Sequence, residues 1–297
     1  MTPAAATSAT RAEAALGPPD ELAHGDFEMV VRRLADDLAF GTDLSLFVGS
    51  GLEYAQSRPY EPGDPVKQID WRITARLNRA YVKDYETLKR TSIYLVVDTS
   101  ASMGVGSTRL TKHDLAVWIA SAVGLVGQRR LSPVAVIGGG ERQTRLLPSL
   151  RRSDLWQAIE PLRTGSLSER TRLAERLTLL DVRADRRSLV MVISDLHDPD
   201  AMGALRHMAQ KHDCVAIHLT DPAEAGRLGA GFYLGQEAET GHTFLAHGRQ
   251  RWNEAARIED ELIRSGVSAL RLRTDEPFVA PLRHFLTARA ASMRGRR

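Results

Sequence analysis

The chain has 297 residues, 43% of them hydrophobic and 26% charged, with a formal net charge of +3 and a pI near 9.2. That composition is ordinary for a soluble globular protein, and the length suits one large α/β domain with a smaller appendage. A single cysteine, Cys214, excludes an intrachain disulfide. It sits in the apolar run Cys214-Val215-Ala216-Ile217 and reads as a small buried hydrophobe rather than a reactive thiol. Basic residues are spread along the chain except for a terminus at Arg294, Arg296 and Arg297. No aromatic platform accompanies that terminus, so nucleic acid is not an expected partner. The longest apolar stretch, Leu115 to Gly127, falls short of the ~20 residues that span a bilayer. No secretory h-region follows the start, so the expected location is cytoplasmic.

In chain order, residues 1–24 lack periodicity and read as a disordered leader. Phe27, Val30, Val31, Leu34 and Leu38 mark an amphipathic helix over Phe27–Phe40. Residues 41–92 are rich in Gly, Pro and charge, and read as small strands and turns, with a turn at Glu61-Pro62-Gly63-Asp64. This small element, counted as 25–91, precedes the main domain at 92–291 and a basic tail at 292–297. Ile93-Tyr94-Leu95-Val96-Val97 is continuously apolar, as expected of a strand buried on both faces. Lys112 to Arg129 reads as a helix, Val134 to Ile137 as a strand and Gln143 to Leu147 as an edge strand. Helices are expected near 153–162, 171–180, 200–211, 252–264 and 277–290. Further strands are expected at 188–194, 215–219 and 269–272. Alternating strands and helices over this length predict a doubly wound, mostly parallel α/β sheet.

Ligands in such a sheet bind beyond the carboxyl ends of the strands. Asp98 ends the first buried strand, and Asp98-Thr99-Ser100-Ala101-Ser102 follows. Alternate side chains of an extended stretch point the same way, so Asp98, Ser100 and Ser102 can converge. Their hard oxygens suit Mg²⁺, with Mn²⁺ or Ca²⁺ as other candidates. Asp195, closing the strand 188–194, is the best second acid, although it could instead cap the next helix. A threonine would complete the set, and Thr171 and Thr164 are both candidates.

The loop Asp98-Thr99-Ser100-Ala101-Ser102-Met103-Gly104 resembles the metal-ion-dependent adhesion site of von Willebrand factor A domains. Upstream, Gly49-Ser50-Gly51-Leu52-Glu53-Tyr54, Arg58-Pro59-Tyr60-Glu61-Pro62-Gly63-Asp64, Gln68-Ile69-Asp70-Trp71-Arg72 and Ala75-Arg76 resemble the signature of the bacterial "domain of unknown function fifty-eight" family. Asp221-Pro222-Ala223-Glu224, Glu239-Thr240-Gly241 and Leu272-Arg273-Thr274-Asp275 are similar to that family as well. The resemblance spans roughly residues 45–290. It implies a von Willebrand A-like fold with a small N-terminal α/β element, and partnership with a MoxR-type AAA+ ATPase. The implied role is chaperone-like maturation or cofactor insertion for a client complex, a dehydrogenase being one candidate. It also favours Thr171 over Thr164, because Glu169-Arg170-Thr171-Arg172-Leu173 matches the family's threonine-bearing stretch, with its glycines and acid replaced by charged residues.

Arg58, Asp64, Asp70, Trp71, Arg72 and Arg76 crowd into 19 residues. Such a density predicts an ion-pair network pinning the small element to the sheet, with Trp71 buried. A docking face is the alternative. Gly49-Ser50-Gly51 lacks the Lys-Ser/Thr pair of a nucleotide loop, and Gly138-Gly139-Gly140 reads as a turn. His207 and His212 are five apart, poor spacing for a shared helical face. The leading function is a non-enzymatic metal-dependent binding module. The alternative is a divalent-metal-dependent hydrolase using Asp98 and Asp195, with His197 as acid or base.

Overall fold

The computed structural model describes residues 27–39, 52–87, 91–104, 106–107, 109–141, 147–165, 167–222, 224, 232–236, 243–247 and 254–295. The leader, Gly49-Ser50-Gly51, most of the expected edge strand at 143–147, and Glu239-Thr240-Gly241 lie outside the described residues.

Helix α1 (Phe27–Ala39) buries Val30, Val31, Leu34, Ala35 and Leu38, the stripe that its 3.6-residue period anticipates. It packs on the core of the large domain. Strands β1 (Leu52–Pro59) and β2 (Tyr81–Thr87) pair antiparallel and enclose the short helix α2 (Trp71–Leu77). Strand β3 (Ile93–Val97) opens the main sheet. It is followed by α3 (Lys112–Arg129), β4 (Val134–Gly138), α4 (Arg152–Thr164) and α5 (Leu173–Arg183). Then come β5 (Leu189–Ser194), α6 (Ala201–Met208) and β6 (Asp213–Thr220). A separate antiparallel pair, β7 (Phe232–Gln236) and β8 (Thr243–His247), precedes α7 (Glu254–Arg264), β9 (Ser268–Arg273) and α8 (Val279–Gly295).

The main sheet has five strands in the order β4-β3-β5-β6-β9, and every pairing is parallel. Helices cover both faces, which is why β3 and β5 are apolar without alternation. Ile93, Leu95 and Val97 point into the core formed with α1, α3, α4 and α8. Val96 points to the opposite core with α5, α6 and α7. The period of two of a strand thus divides one apolar run between two cores.

Helix α3 is buried from Lys112 to Gln128, because the sheet lies on one side and α1 and α4 on the other. Gly127 permits the close approach to β3: a Cβ there would meet Ile93 Cδ1 at 2.5 Å. The chain runs from β3 outward to β4 and returns to β5 on the other side of β3. That reversal opens a crevice beyond the carboxyl ends of β3 and β5.

Candidate functional site

Asp98 follows β3 at the crevice and is 1% exposed. Its backbone N–H continues the sheet by donating to Ile193 O at 3.0 Å. Its side chain then faces β5: Ser194 Oγ donates to Asp98 Oδ2 at 2.6 Å, and Ser100 N–H donates to Oδ1 at 3.0 Å. A 3-10 turn at Ala101–Gly104 folds the loop back, bringing Ser100 Oγ and Ser102 Oγ to 3.0 Å. Asp98, Ser100 and Ser102 therefore do converge, and they could hold a cation through hard oxygens. Burial, and then the neighbouring Asp195 charge, push the Asp98 carboxyl up to about 6 against the opposing hydrogen bonds from Ser194 and Ser100.

Asp195 ends β5 beside it, also 1% exposed. Its Oδ2 takes Lys112 Nζ at 2.7 Å and His197 Nδ1 at 3.1 Å. Burial alone would raise this carboxyl. The His197 hydrogen bond and the Lys112 charge outweigh it and hold Asp195 well below the usual carboxylate range. Lys112 Nζ also pairs with Glu224, and the Lys112 side chain is fully buried. Asp195, His197 and Glu224 bring their ligand atoms within 4.8 Å of one another. Sequence reading singled out Asp195 and missed Lys112 and Glu224 as its companions. A lysine opening an apolar helix was the available signal.

The downstream motifs meet here too. Asp221 accepts from Ser107 N–H at 3.0 Å, Ser107 Oγ at 2.6 Å and Thr274 Oγ1 at 2.7 Å. Glu224 Oε2 accepts from Asp221 N–H at 3.1 Å. The turn after β6 thus delivers Glu224 to Lys112 from a firmly held base.

The two candidate threonines separate cleanly. Thr164 is the last residue of α4, and its hydroxyl donates to Glu160 O at 2.9 Å within its own helix. Thr171 Oγ1 is buried with no hydrogen-bond partner among the described residues. The segment before it is anchored to the serine loop: Ala101 N–H donates to Glu169 O at 2.9 Å, and Ser100 bridges Glu169 in parallel register. Glu169 is itself buried, its Oε2 at 3.4 Å from Thr99 Oγ1. Gly140, one of the glycines read only as a turn, makes that approach possible. A Cβ there would lie 2.2 Å from Glu169 Oε2 and 2.3 Å from Thr99 Oγ1.

The signature of the small element behaves differently from expectation. Arg58 and Asp64 do form a bidentate pair at 2.8 and 2.7 Å. The predicted wider network is not there among the described residues. Asp70 instead caps α2, accepting from Arg72 N–H at 3.1 Å, Ile73 N–H at 3.2 Å and Ser57 Oγ at 3.0 Å. Arg72 and Arg76 are exposed, and Trp71 is 68% exposed rather than buried. The seven-residue α2 has too few turns to bury a face, and no residue of it is buried.

Cys214 lies buried on β6, and burial pushes its thiol up to about 12, which leaves no reactive thiolate near neutral pH. His207 and His212 both approach Asp181, at 3.4 and 3.5 Å, because the helix ends at Met208 and the chain turns. Ser188 N–H donates to His212 Nδ1 at 3.3 Å. Among the described residues, no helix is long and apolar enough to cross a membrane.

Residues 56–265 match the family described as protein of unknown function DUF58. Uncharacterized proteins of Mycobacterium tuberculosis (Rv1480) and Mycobacterium bovis (Mb1516) are each 31% identical over 278 residues, covering 88% of this chain and 87% of theirs. Among solved structures, the RO (RSR) protein of Deinococcus radiodurans aligns at 17% identity with a TM-score of 0.35. That alignment covers 68% of this chain and about a third, 34%, of the Deinococcus chain.

Proposed function

The chain belongs to the DUF58 family, and on that premise we propose that it is a non-enzymatic, metal-dependent protein-binding module of von Willebrand A type. In this reading it works with a MoxR-type AAA+ ATPase in the assembly, maturation or cofactor loading of a client complex. The observation that carries the proposal is the convergence of Asp98, Ser100 and Ser102 at the reversal point of a parallel sheet. The donors are one carboxylate and two hydroxyls, with the partnerless Thr171 hydroxyl close in the chain to the segment that pairs with Ser100. All are hard oxygens of the kind Mg²⁺ prefers. Asp195 Oδ2 is already taken by Lys112 and His197, while among the described residues Oδ1 accepts only a long bond of 3.4 Å from His197 N–H. Asp195 would join the group that holds an ion. When bound, the ion supplies an open coordination position for an acidic side chain of the partner. The protein's own residues orient it and withhold water on the sheet side.

The test is capture of the partner ATPase by the purified chain, with and without Mg²⁺. Asp98→Ala and EDTA are each expected to abolish capture while the thermal transition persists. Capture that is indifferent to both would sink the proposal. The hydrolase alternative draws on the His197–Asp195 contact. Turnover of phosphate or carboxylate esters with Mg²⁺ or Mn²⁺, lost in His197→Ala, would favour it instead.

A further inference from the structure

The head of α3 holds a residue that helix chemistry does not call for. Lys112 is the first residue of the helix, directly after the Thr111 cap and its capping box with Asp114. The positive end of the helix dipole disfavours a cation there. Full burial disfavours it again, since an ammonium leaving water loses its hydration. Only specific partners offset both costs. They are Asp195 Oδ2 at 2.7 Å and Glu224 Oε1, delivered by two different strand ends. The two carboxylates offset the cost of burying the ammonium.

Glu224 is no passing surface contact. Its other oxygen accepts the Asp221 backbone N–H, and Asp221 is tied to Ser107 and Thr274. The result is a fixed cation on Asp195, whose chain neighbour Ser194 donates its hydroxyl to Asp98 Oδ2 at 2.6 Å. Asp98 has no comparable cation among the described residues: its carboxylate accepts from the Ser194 hydroxyl and the Ser100 N–H. The two acids at the crevice are thus unequal. One is ion-paired with a buried lysine, and the other has no such partner among the described residues.

We propose that Lys112 is a built-in counter-cation that, clamped by Glu224, sets how tightly the Asp98–Ser100–Ser102 group holds a divalent ion. This rests on the metal-binding reading above. A charge within a few ångströms in a buried site alters the binding of an ion by factors of ten or more, and its sign dictates the direction. Removing Lys112 makes the site more negative and tightens binding. Removing the Glu224 charge leaves more of the ammonium's field uncancelled and weakens it.

The experiment is calorimetric titration of the full chain with Mn²⁺. Lys112→Met is expected to bind Mn²⁺ about tenfold more tightly than wild type, and Glu224→Gln about tenfold more weakly. A merely structural lysine would move both variants the same way, or neither, and that result overturns the proposal. If Lys112→Met shows no cooperative melting transition, Glu224→Gln decides alone: weaker binding supports the proposal and unchanged binding overturns it. A wild type that binds no Mn²⁺ defeats the metal-dependent reading itself. In that case Mn²⁺ binding acquired by Lys112→Met still supports Lys112 as the excluding cation, and its absence overturns this inference too.

Discussion

Helices α2 and α3 begin alike and end in opposite circumstances. Each starts behind a good N-cap, Asp70 for α2 and Thr111 for α3, and each carries a tryptophan in its first half. Trp118 is 1% exposed, its ring tilted against Phe27 of α1 with centroids 4.8 Å apart, whereas Trp71 is 68% exposed on a helix that buries nothing. Local chemistry makes both segments helical. What surrounds them decides whether the same side chain is core or surface. The polar groups follow the same division. Those at the head of α3 are buried at the carboxyl ends of the central strands and perturb one another, while Arg72 and Arg76 of α2 meet water.

The sharpest way to break this contrast is to truncate the two tryptophans. Trp118→Ala should cost about 3–5 kcal/mol of unfolding free energy, because the cavity opens between α1, α3 and α4 where nothing can collapse to fill it. Urea denaturation measures it, and a loss near that of an exposed position would contradict the packing.

The next effect is electrostatic and confined to the α3 side. The Asp98 carboxyl is raised in the folded chain from 3.8 to about 6. A raised acid binds its proton more tightly when folded, so its contribution favours folding at low pH. That contribution is lost as pH rises from about 4 to about 6 and is flat above. The loss amounts to about 3 kcal/mol at 1.36 kcal/mol per pH unit. Asp98→Asn should therefore gain stability over wild type as pH rises through that window, and Mg²⁺ at pH 7 should narrow the gap. A variant-minus-wild-type difference that does not move with pH would show that Asp98 is not held in this environment.

The smallest effect is expected on the other side of the comparison. Trp71→Ala should change unfolding free energy by less than about 0.5 kcal/mol. A larger loss would mean that α2 is covered and belongs with the scaffold.

Much of the fold was legible because its elements carry strong periodic signals. Phe27 to Leu38 repeats at helical spacing, and 93–97 and 189–194 are unbroken apolar runs, so α1, β3 and β5 fall where the pattern puts them. Asp98, Ser100 and Ser102 were legible for the same reason, since their spacing and their place after a buried strand are both local. Trp71 misled because tryptophan is usually buried and nothing in a seven-residue segment reveals whether another layer lies over it. The difference between Thr164, whose hydroxyl bonds within its own helix, and the buried Thr171 hydroxyl is visible only in three dimensions. His207 and His212 share no helical face, as their spacing indicated, because the helix ends between them.

By itself, the sequence determined the alternation of strands and helices, the apolar faces and the hydroxyl-rich loop at a strand end. Each of these depends on neighbours a few residues apart. Only the tertiary structure decided that β5 returns to the other side of β3, which sets Asp195 beside Asp98. It alone decided that Lys112, 83 residues before Asp195 and 112 before Glu224, lies between those two carboxylates. Charges that meet across such separations leave no periodic trace in the chain. Their pairing is dictated by where burial makes an uncompensated charge too costly to leave alone.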